Sequence, residues 1–410
     1  MSFMIGFKTI SRLCLLLAAL WALPSQADTA FDTWLAAFRQ AALAQGISSA
    51  TLDAALSGVA PTERVIALDR GQPEFIQTFT DYLGKRVTPG QVARGQGLIL
   101  ANADLLDAVE RQYGVPKAVL TAFWGLESNY GRTQGSLNVP ASLVTLAFDG
   151  RRSEFFRAQL LDALRIIDAG HVAAADMKGS WAGAMGQMQF MPSTFRSYAR
   201  DGDGDGRIDL WMSLPDVMHS AGNYLQQAGW KAGEPVALEV RLPADFDWQQ
   251  ASLTLRRPVS AWQTMGVQLP VDSAVDSRLQ AAIVLPQGWT GPAFMVFSNF
   301  DVVMDWNRSI SYALSVALLA QQLVGGDGLM APLPDQTPIS IAQIKTLQQS
   351  LNALGYDAGD ADGLIGLRTQ AALRAYQLRY RLPADGYPTA AVVAHVLRTS
   401  LAALSDAAAP

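Results

Sequence analysis

Glu127 is the residue whose type and setting most suggest chemistry. In "FWGLESNYGRT" (Phe123–Thr133) a single carboxylate stands among aromatic residues. Helical spacing puts it one turn after Phe123 and Trp124 and two turns after Leu120, so it shares their apolar face. Pro116 suits the first turn of this helix and Gly131 its end, which sets Glu127 in the last turn, at the negative end of the helix dipole. Burial and the dipole both disfavour the ionised form and raise the pKa. A carboxylic acid still protonated near neutral pH can donate to a glycosidic oxygen. The same spacing also fits a Glu reaching solvent from a frayed helix end.

Two further stretches carry polar chemistry. "GSWAGAMGQMQFMPSTF" (Gly179–Phe195) is dense in Gly, Met and Gln. Its small residues let a backbone pass close to another surface, while Gln187 and Gln189 can donate and accept hydrogen bonds, as a groove for a polar, uncharged polymer requires. A Met-filled core turn is the other reading. "DGDGDGRID" offers Asp201, Asp203, Asp205 and Asp209 at alternate positions, the carbonyl of Arg207, and Gly206 where a calcium hand turns sharply. The closing position holds Met212, so Asp216 would have to close a longer loop. Four crowded carboxylates repel one another without a counter-ion, so a structural Ca²⁺ is expected there, with a solvated acidic turn as the alternative. Nothing in the loop suits activating a water, and the chemistry needs no cofactor.

The elements that must position these residues are mostly helical. "FDTWLAAFRQAALAQG", "ISSATLDAALSG" (capped by Ser48 or Ser49), "QGLILANADLLDAVERQYG", "PKAVLTAFWGLESNYG", "EFFRAQLLDALRIIDAG", "LPDVMHSAGNYLQQAG" and "SISYALSVALLAQQLVGG" all read as helices. From Glu234 the period changes. "PVALEVRLPADFDW" and "ASLTLRRPVSAW" alternate and are broken by Pro, so residues 234–300 are expected to hold a small antiparallel sheet inserted into a helical domain. Residues 325–340, rich in Gly and Pro, read as a linker. Beyond them, residues 341–400 form a three-helix module with "ADG" in both loops, at Ala361–Gly363 and Ala384–Gly386.

Residues 1–27 follow the pattern of a secretory signal: Lys8 and Arg12, an apolar run from Leu13 to Leu23, then small residues Ser25 and Ala27. The one cysteine, Cys14, lies within it, so no disulfide or thiolate site is expected in the mature chain, and lipidation is not expected either. Removing the signal leaves 29 basic against 36 acidic residues, a net charge of −7, which argues against a nucleic-acid partner.

"GLESNYG" followed by "GSWAGAMGQMQFMPST", with "DGDGDGRIDLW", "AGNYL" and "WNRSISYA", resembles the lytic murein transglycosylases, specifically the membrane-bound lytic transglycosylase B family, from about Phe31 to Val324. "LNALGY", "DADGLIG" and Tyr376–Gln377 resemble a peptidoglycan-binding domain. The resemblance implies a mainly α (α+β) fold: a lysozyme-like catalytic region over residues 28–324 and a C-terminal three-helix module. It implies cleavage of the β-1,4 bond between N-acetylmuramic acid and N-acetylglucosamine, leaving 1,6-anhydro ends. Glu127 would be the single acid and base. Ser180, Gln189, Tyr224, Asn307 and Tyr312 match substrate-groove positions, and Trp306 stands where a Tyr can occur. The contacts of Gln187 and Met188 stay open. Peptidoglycan glycan strands are the implied partner, with cell-wall synthesis or division proteins as candidates, in the periplasm and as a monomer. A hydrolytic muramidase using Asp149 or Glu154 to hold a water, or a silent wall-binding scaffold, remain alternatives.

Overall fold

The computed structural model describes residues 26–71, 77–271, 273–334 and 336–407. The expected export signal lies almost wholly outside them. The chain divides into two compact units after Gly46. The described part of the first is the helix Gln26–Ala44, along which Phe31, Trp34 and Phe38 stack at helical spacing. The second unit, Ile47–Pro410, holds the remaining helices, a two-stranded ribbon and a four-stranded sheet.

At its centre is the helix Lys117–Ser128, in which every residue except Lys117 and Glu127 is buried. A helix apolar on all sides belongs in a core, and this one packs against Pro89–Ala101, Ala103–Tyr113, Leu214–Gln227 and Ile310–Leu323. Its ends differ from expectation. Pro116 caps it instead of opening its first turn, and it stops before Gly131, because Asn129 already turns left-handed at φ 50°. Tyr130 and Gly131 follow with φ 59° and 80°. The stretch expected as one helix through Asn102 is two, Pro89–Ala101 and Ala103–Tyr113. Asn102 breaks them by turning its amide back onto the Leu98 carbonyl at 2.8 Å.

The sheet is antiparallel in the order Ala237–Val240, Ala293–Val296, Gln280–Val284, Arg257–Pro258. Residues 251–262 were expected to alternate as a strand. They supply only Arg257–Pro258, followed by the short helix Val259–Thr264. The central strands "QAAIV" and "AFMV" do not alternate because both faces are covered. Ile283 and Met295 join a core around Trp262, while Phe294 meets Phe79 edge-on at 6.0 Å. That second contact ties the sheet to the helix Phe79–Arg86.

The described residues of 325–340 contain no helix or long strand, yet they are held. The Met330 and Ala331 N–H groups donate to the two oxygens of Glu239 at 2.6 and 2.7 Å, and Gln336 Nε2 donates to the Gln287 carbonyl at 2.9 Å. The C-terminal module follows as Ile341–Ala353, Leu367–Arg379 and Ala390–Ala407 around Leu347, Leu373 and Tyr376. Its repeated "DG" loops are held alike. Gln348 accepts from Gly363 N–H at 2.9 Å and donates to Asp362 at 3.1 Å; Gln377 does the same to Gly386 and Asp385 at 2.8 and 2.7 Å.

Candidate active site

Past its first residue, Glu127 is the one position of the helix Lys117–Ser128 that is not buried. The turn after it is locked by Ser128, whose Oγ donates to the Gln187 carbonyl at 2.6 Å and accepts from Gly131 N–H at 2.9 Å. Tyr130 anchors the far side by donating to the Gln91 carbonyl at 2.8 Å. Three successive left-handed residues are costly, and these bonds over-determine them.

Oε1 of Glu127 accepts two hydrogen bonds, from the Tyr312 hydroxyl at 2.5 Å and the Trp306 indole N–H at 2.9 Å. Tyr312 stands near the start of Ile310–Leu323, whose N-cap Ser309 accepts its N–H, and Trp306 ends the helix Ser298–Trp306. Among the described residues Oε2 has no hydrogen-bond partner. Desolvation raises the Glu127 pKa to about 7 against the opposing pull of Tyr312, Trp306 and the Arg86 charge. The Tyr312 hydroxyl, buried beside Glu127, is pushed well above its ordinary value and remains a donor. The side chains acting on Glu127 include no second carboxylate. Asp149, one candidate for such a partner, is held by Arg70 at 2.6 Å.

Trp306 sits in an aromatic cluster, with ring centroids 4.6 Å from Phe123, 4.7 Å from Tyr224 and 5.3 Å from Phe190. Burial pushes the Tyr224 hydroxyl up to about 12. Phe190 brings the Gly179–Phe195 segment to this cluster. That segment folds back on itself through Gly179–Met185 and Met185–Phe190 bridges. Gly135 has to lack a side chain here, because a Cβ would fall 2.1 Å from the Gly179 carbonyl carbon. Gln189, at φ 50°, gives its amide N–H₂ to the Gln134 and Gly186 carbonyls and leaves Oε1 without a partner among the described residues. Ser180 is half-buried and its Oγ accepts from Ala184 N–H at 3.0 Å. Asn307 is exposed, immediately after Trp306.

The family model of the transglycosylase SLT domain matches residues 30–321, and that of a peptidoglycan binding domain matches residues 340–396. The chain belongs to the SLT lytic transglycosylases. Membrane-bound lytic murein transglycosylase B of Escherichia coli (strain K12) is 31% identical over 247 residues, 58% of this chain and 66% of that protein. SltB3 of Pseudomonas aeruginosa, solved with NAG-anhNAM-pentapeptide, superposes with a TM-score of 0.87 at 46% identity, covering 89% of this chain and 99% of that one. The Escherichia coli lytic transglycosylase Slt35, solved with calcium, gives a TM-score of 0.61 at 28% identity over 72% of this chain and 92% of that one.

In this transglycosylase the expected groove glutamine Gln187 is structural. It is buried, accepting from the Trp124 indole at 2.8 Å and donating to the Trp211 carbonyl at 3.0 Å, and Met188 beside it is core. The acidic loop also differs from expectation. Asp201, Asp203 and Asp205 are exposed and bring one oxygen each within 4.8 Å of one another. Asp209 and Asp216 are not part of that group. Asp209 pairs with Arg207 and accepts from the Trp211 and Met212 N–H groups. Asp216 is buried and accepts from Gly202 and Asp209 N–H at 2.7 and 2.6 Å, closing the loop by hydrogen bonds. Sequence reasoning missed Arg86 and Phe190. Arg86 lies on a separate short helix, and only its place two turns along from Phe79 could have hinted at it.

Proposed function

We propose that the enzyme cuts the β-1,4 bond between N-acetylmuramic acid and N-acetylglucosamine of peptidoglycan, with Glu127 as its one acid and base. The observation that carries this reading is the pair of donors on Oε1. With both an O–H and an N–H aimed at that oxygen, the acidic proton must sit on Oε2, the oxygen left without a protein partner. A pKa near 7 keeps that proton available at neutral pH. Oε2–H protonates the bridging oxygen, the C1–O bond breaks, and an oxocarbenium-like centre forms. The Glu127 carboxylate then takes the proton from the C6 hydroxyl of the same muramic acid, and O6 attacks C1. That one proton restores the acid form of Glu127, and a 1,6-anhydro ring closes without an activated water. Paired carboxylates, as in most glycosidases, are not needed for this route.

Gln189 Oε1, Tyr224 and exposed Asn307 suit the sugar's hydroxyl and amide groups, and Ser180 lies at the base of the same folded segment. Asp201, Asp203 and Asp205 would hold a Ca²⁺, with the Arg207 carbonyl available, and its role would be to stiffen the loop between this segment and Leu214–Gln227. The calcium complex of Slt35 supports the choice of ion. The amino-terminal signal would deliver the enzyme to the periplasm, and among the described residues no helix is long and apolar enough to cross a membrane.

Mass spectrometry of digested sacculi tests the reading. Wild type should release anhydro ends, and Glu127→Gln should lose at least about 100-fold in turnover while still folding. Reducing ends would assign a hydrolase, and a variant within about tenfold of wild type would remove Glu127 from the chemistry.

A further inference from the structure

The polar groups of Gln187 point in two directions. Its donors go to the segment that follows the acidic loop, the backbone N–H to the Leu210 carbonyl at 2.8 Å and the side-chain amide to the Trp211 carbonyl at 3.0 Å. Its acceptors take from the acid helix, the backbone carbonyl from Ser128 Oγ at 2.6 Å and Oε1 from the Trp124 indole N–H at 2.8 Å. An indole N–H can only donate and a carbonyl can only accept, which fixes the orientation of the amide.

These contacts flank Glu127 on both sides. Trp124 stands three residues before it and Ser128 one after. Gly131, four after and left-handed at φ 80°, lies so close that a Cβ there would fall 2.5 Å from Gln187 Oε1. The end of a helix has carbonyls without intrahelical partners, and left-handed residues persist only where their surroundings hold them. Tyr312 and Trp306 aim Oε1 of Glu127, but they come from other helices and act only while that last turn stays in place. The remote end of the tie is itself anchored. The Trp211 indole donates to the Lys178 carbonyl at 2.8 Å, and its backbone N–H to Asp209 at 3.0 Å. An aliphatic side chain could fill the same space, but it would leave the Trp124 N–H buried without an acceptor.

We infer that Gln187 is a positioning residue for the reaction: it fastens the last turn of the acid helix to Leu210–Trp211 and so keeps Glu127 packed against Tyr312 and Trp306. The inference rests on the reading of Glu127 as the acid. Without this tie the turn loosens and water reaches the carboxyl group. Desolvation is the largest influence on the Glu127 pKa, so its loss lowers that pKa from about 7 toward the ordinary carboxylate range.

Profiles of kcat/KM against pH on soluble glycan fragments, with a thermal melt of each protein, test this. Wild type should lose activity as pH rises through about 7. Gln187→Leu should lower kcat about tenfold or more with KM nearly unchanged, and should move the alkaline limb downward. Trp124→Phe keeps a ring against Tyr130 and removes only the indole N–H, so it should move the limb the same way. The double variant should move it no further than the larger single shift, because both changes break one bond. Shifts that add, or a fall in kcat that follows the melting temperature with the limb unmoved, would make Gln187 a packing residue and overturn the inference. If Gln187→Leu fails to fold, Trp124→Phe decides alone: a lowered limb supports the tie and an unmoved one overturns it. An active Glu127→Gln, with no limb near 7 in wild type, would instead remove the acid assignment and this inference with it.

Discussion

At the scale of the residue, Glu127 carries an activity that costs stability. Its pKa in the fold is about 7 against 4.5 for the free side chain. Below 4.5 both the folded and the unfolded chain are protonated, and the folded state has no penalty. Between the two values the unfolded chain ionises first and folding stability falls; above 7 the full penalty is present. The gap corresponds to about 3 kcal/mol at 1.36 kcal/mol per pH unit. Glu127→Gln should therefore be more stable than wild type near pH 8 and no more stable near pH 4, by urea denaturation at the two values. An equal difference at both would mean the carboxylate is not desolvated. Trp306 makes a second test. An aromatic ring in a groove can stack on a sugar face, whereas the structure aims the Trp306 N–H at Glu127. That bond lowers the Glu127 pKa, so Trp306→Phe should shift the alkaline limb of the kcat/KM profile upward and reduce kcat. A rise in KM alone, with the limb unmoved, would return Trp306 to stacking.

At the scale of the element, periodicity was enough to find the acid helix, because a run of apolar residues with one Glu near its end is a local pattern. The same pattern could not show that the helix is buried on every side, since that depends on four other helices. It also could not separate Gln187 from Gln189. They are two residues apart in one Gln- and Met-rich segment, and only the fold turns one onto Trp124 and leaves the other's carbonyl free. The strands "QAAIV" and "AFMV" were hidden for a related reason: a strand covered on both faces loses the alternation that marks it. In the acidic loop the spacing grouped six residues, while the structure groups three and uses Asp216 as a buried tie. This sharpens the metal prediction. Chelator should lower the melting temperature, and Ca²⁺ should restore it better than Mg²⁺, which dehydrates reluctantly. At a hundredfold excess over Kd the gain is about 2.7 kcal/mol. Asp203→Ala with Asp205→Ala should abolish the response, whereas Asp216→Asn should destabilise with and without calcium. Identical wild-type melts in chelator and calcium would leave the loop a solvated turn.

At the scale of the molecule, the question is whether the C-terminal module is a tethered anchor or part of the body. Composition marked residues 325–340 as a linker, and a tether would act only by raising local concentration at the wall. The contacts describe something firmer. Glu239, in the sheet's edge strand, holds the Met330 and Ala331 amides; Asp385 holds Trp289; and Arg374 reaches the Ala251 carbonyl. The two loops of the internal repeat have thus diverged in use. Asp385 of the second docks onto the insertion, while Asp362 of the first, among the described residues, hydrogen-bonds within the module. Removing residues 341–410 should therefore do two things: weaken retention on sacculi and lower the melting temperature of what remains, because the wall under Ala251 and Trp289 loses its cover. Asp385→Ala in the full chain separates the two effects. It leaves the Trp289 and Tyr387 N–H groups and the Gln377 amide short of an acceptor, so the melting temperature should drop by the equivalent of about 1–3 kcal/mol. Retention should change little, because the module is still attached. Differential scanning calorimetry and a sacculus pull-down on all three proteins are the measurements. A truncated chain that melts like the full one would mean that the module rides on the enzyme without supporting it.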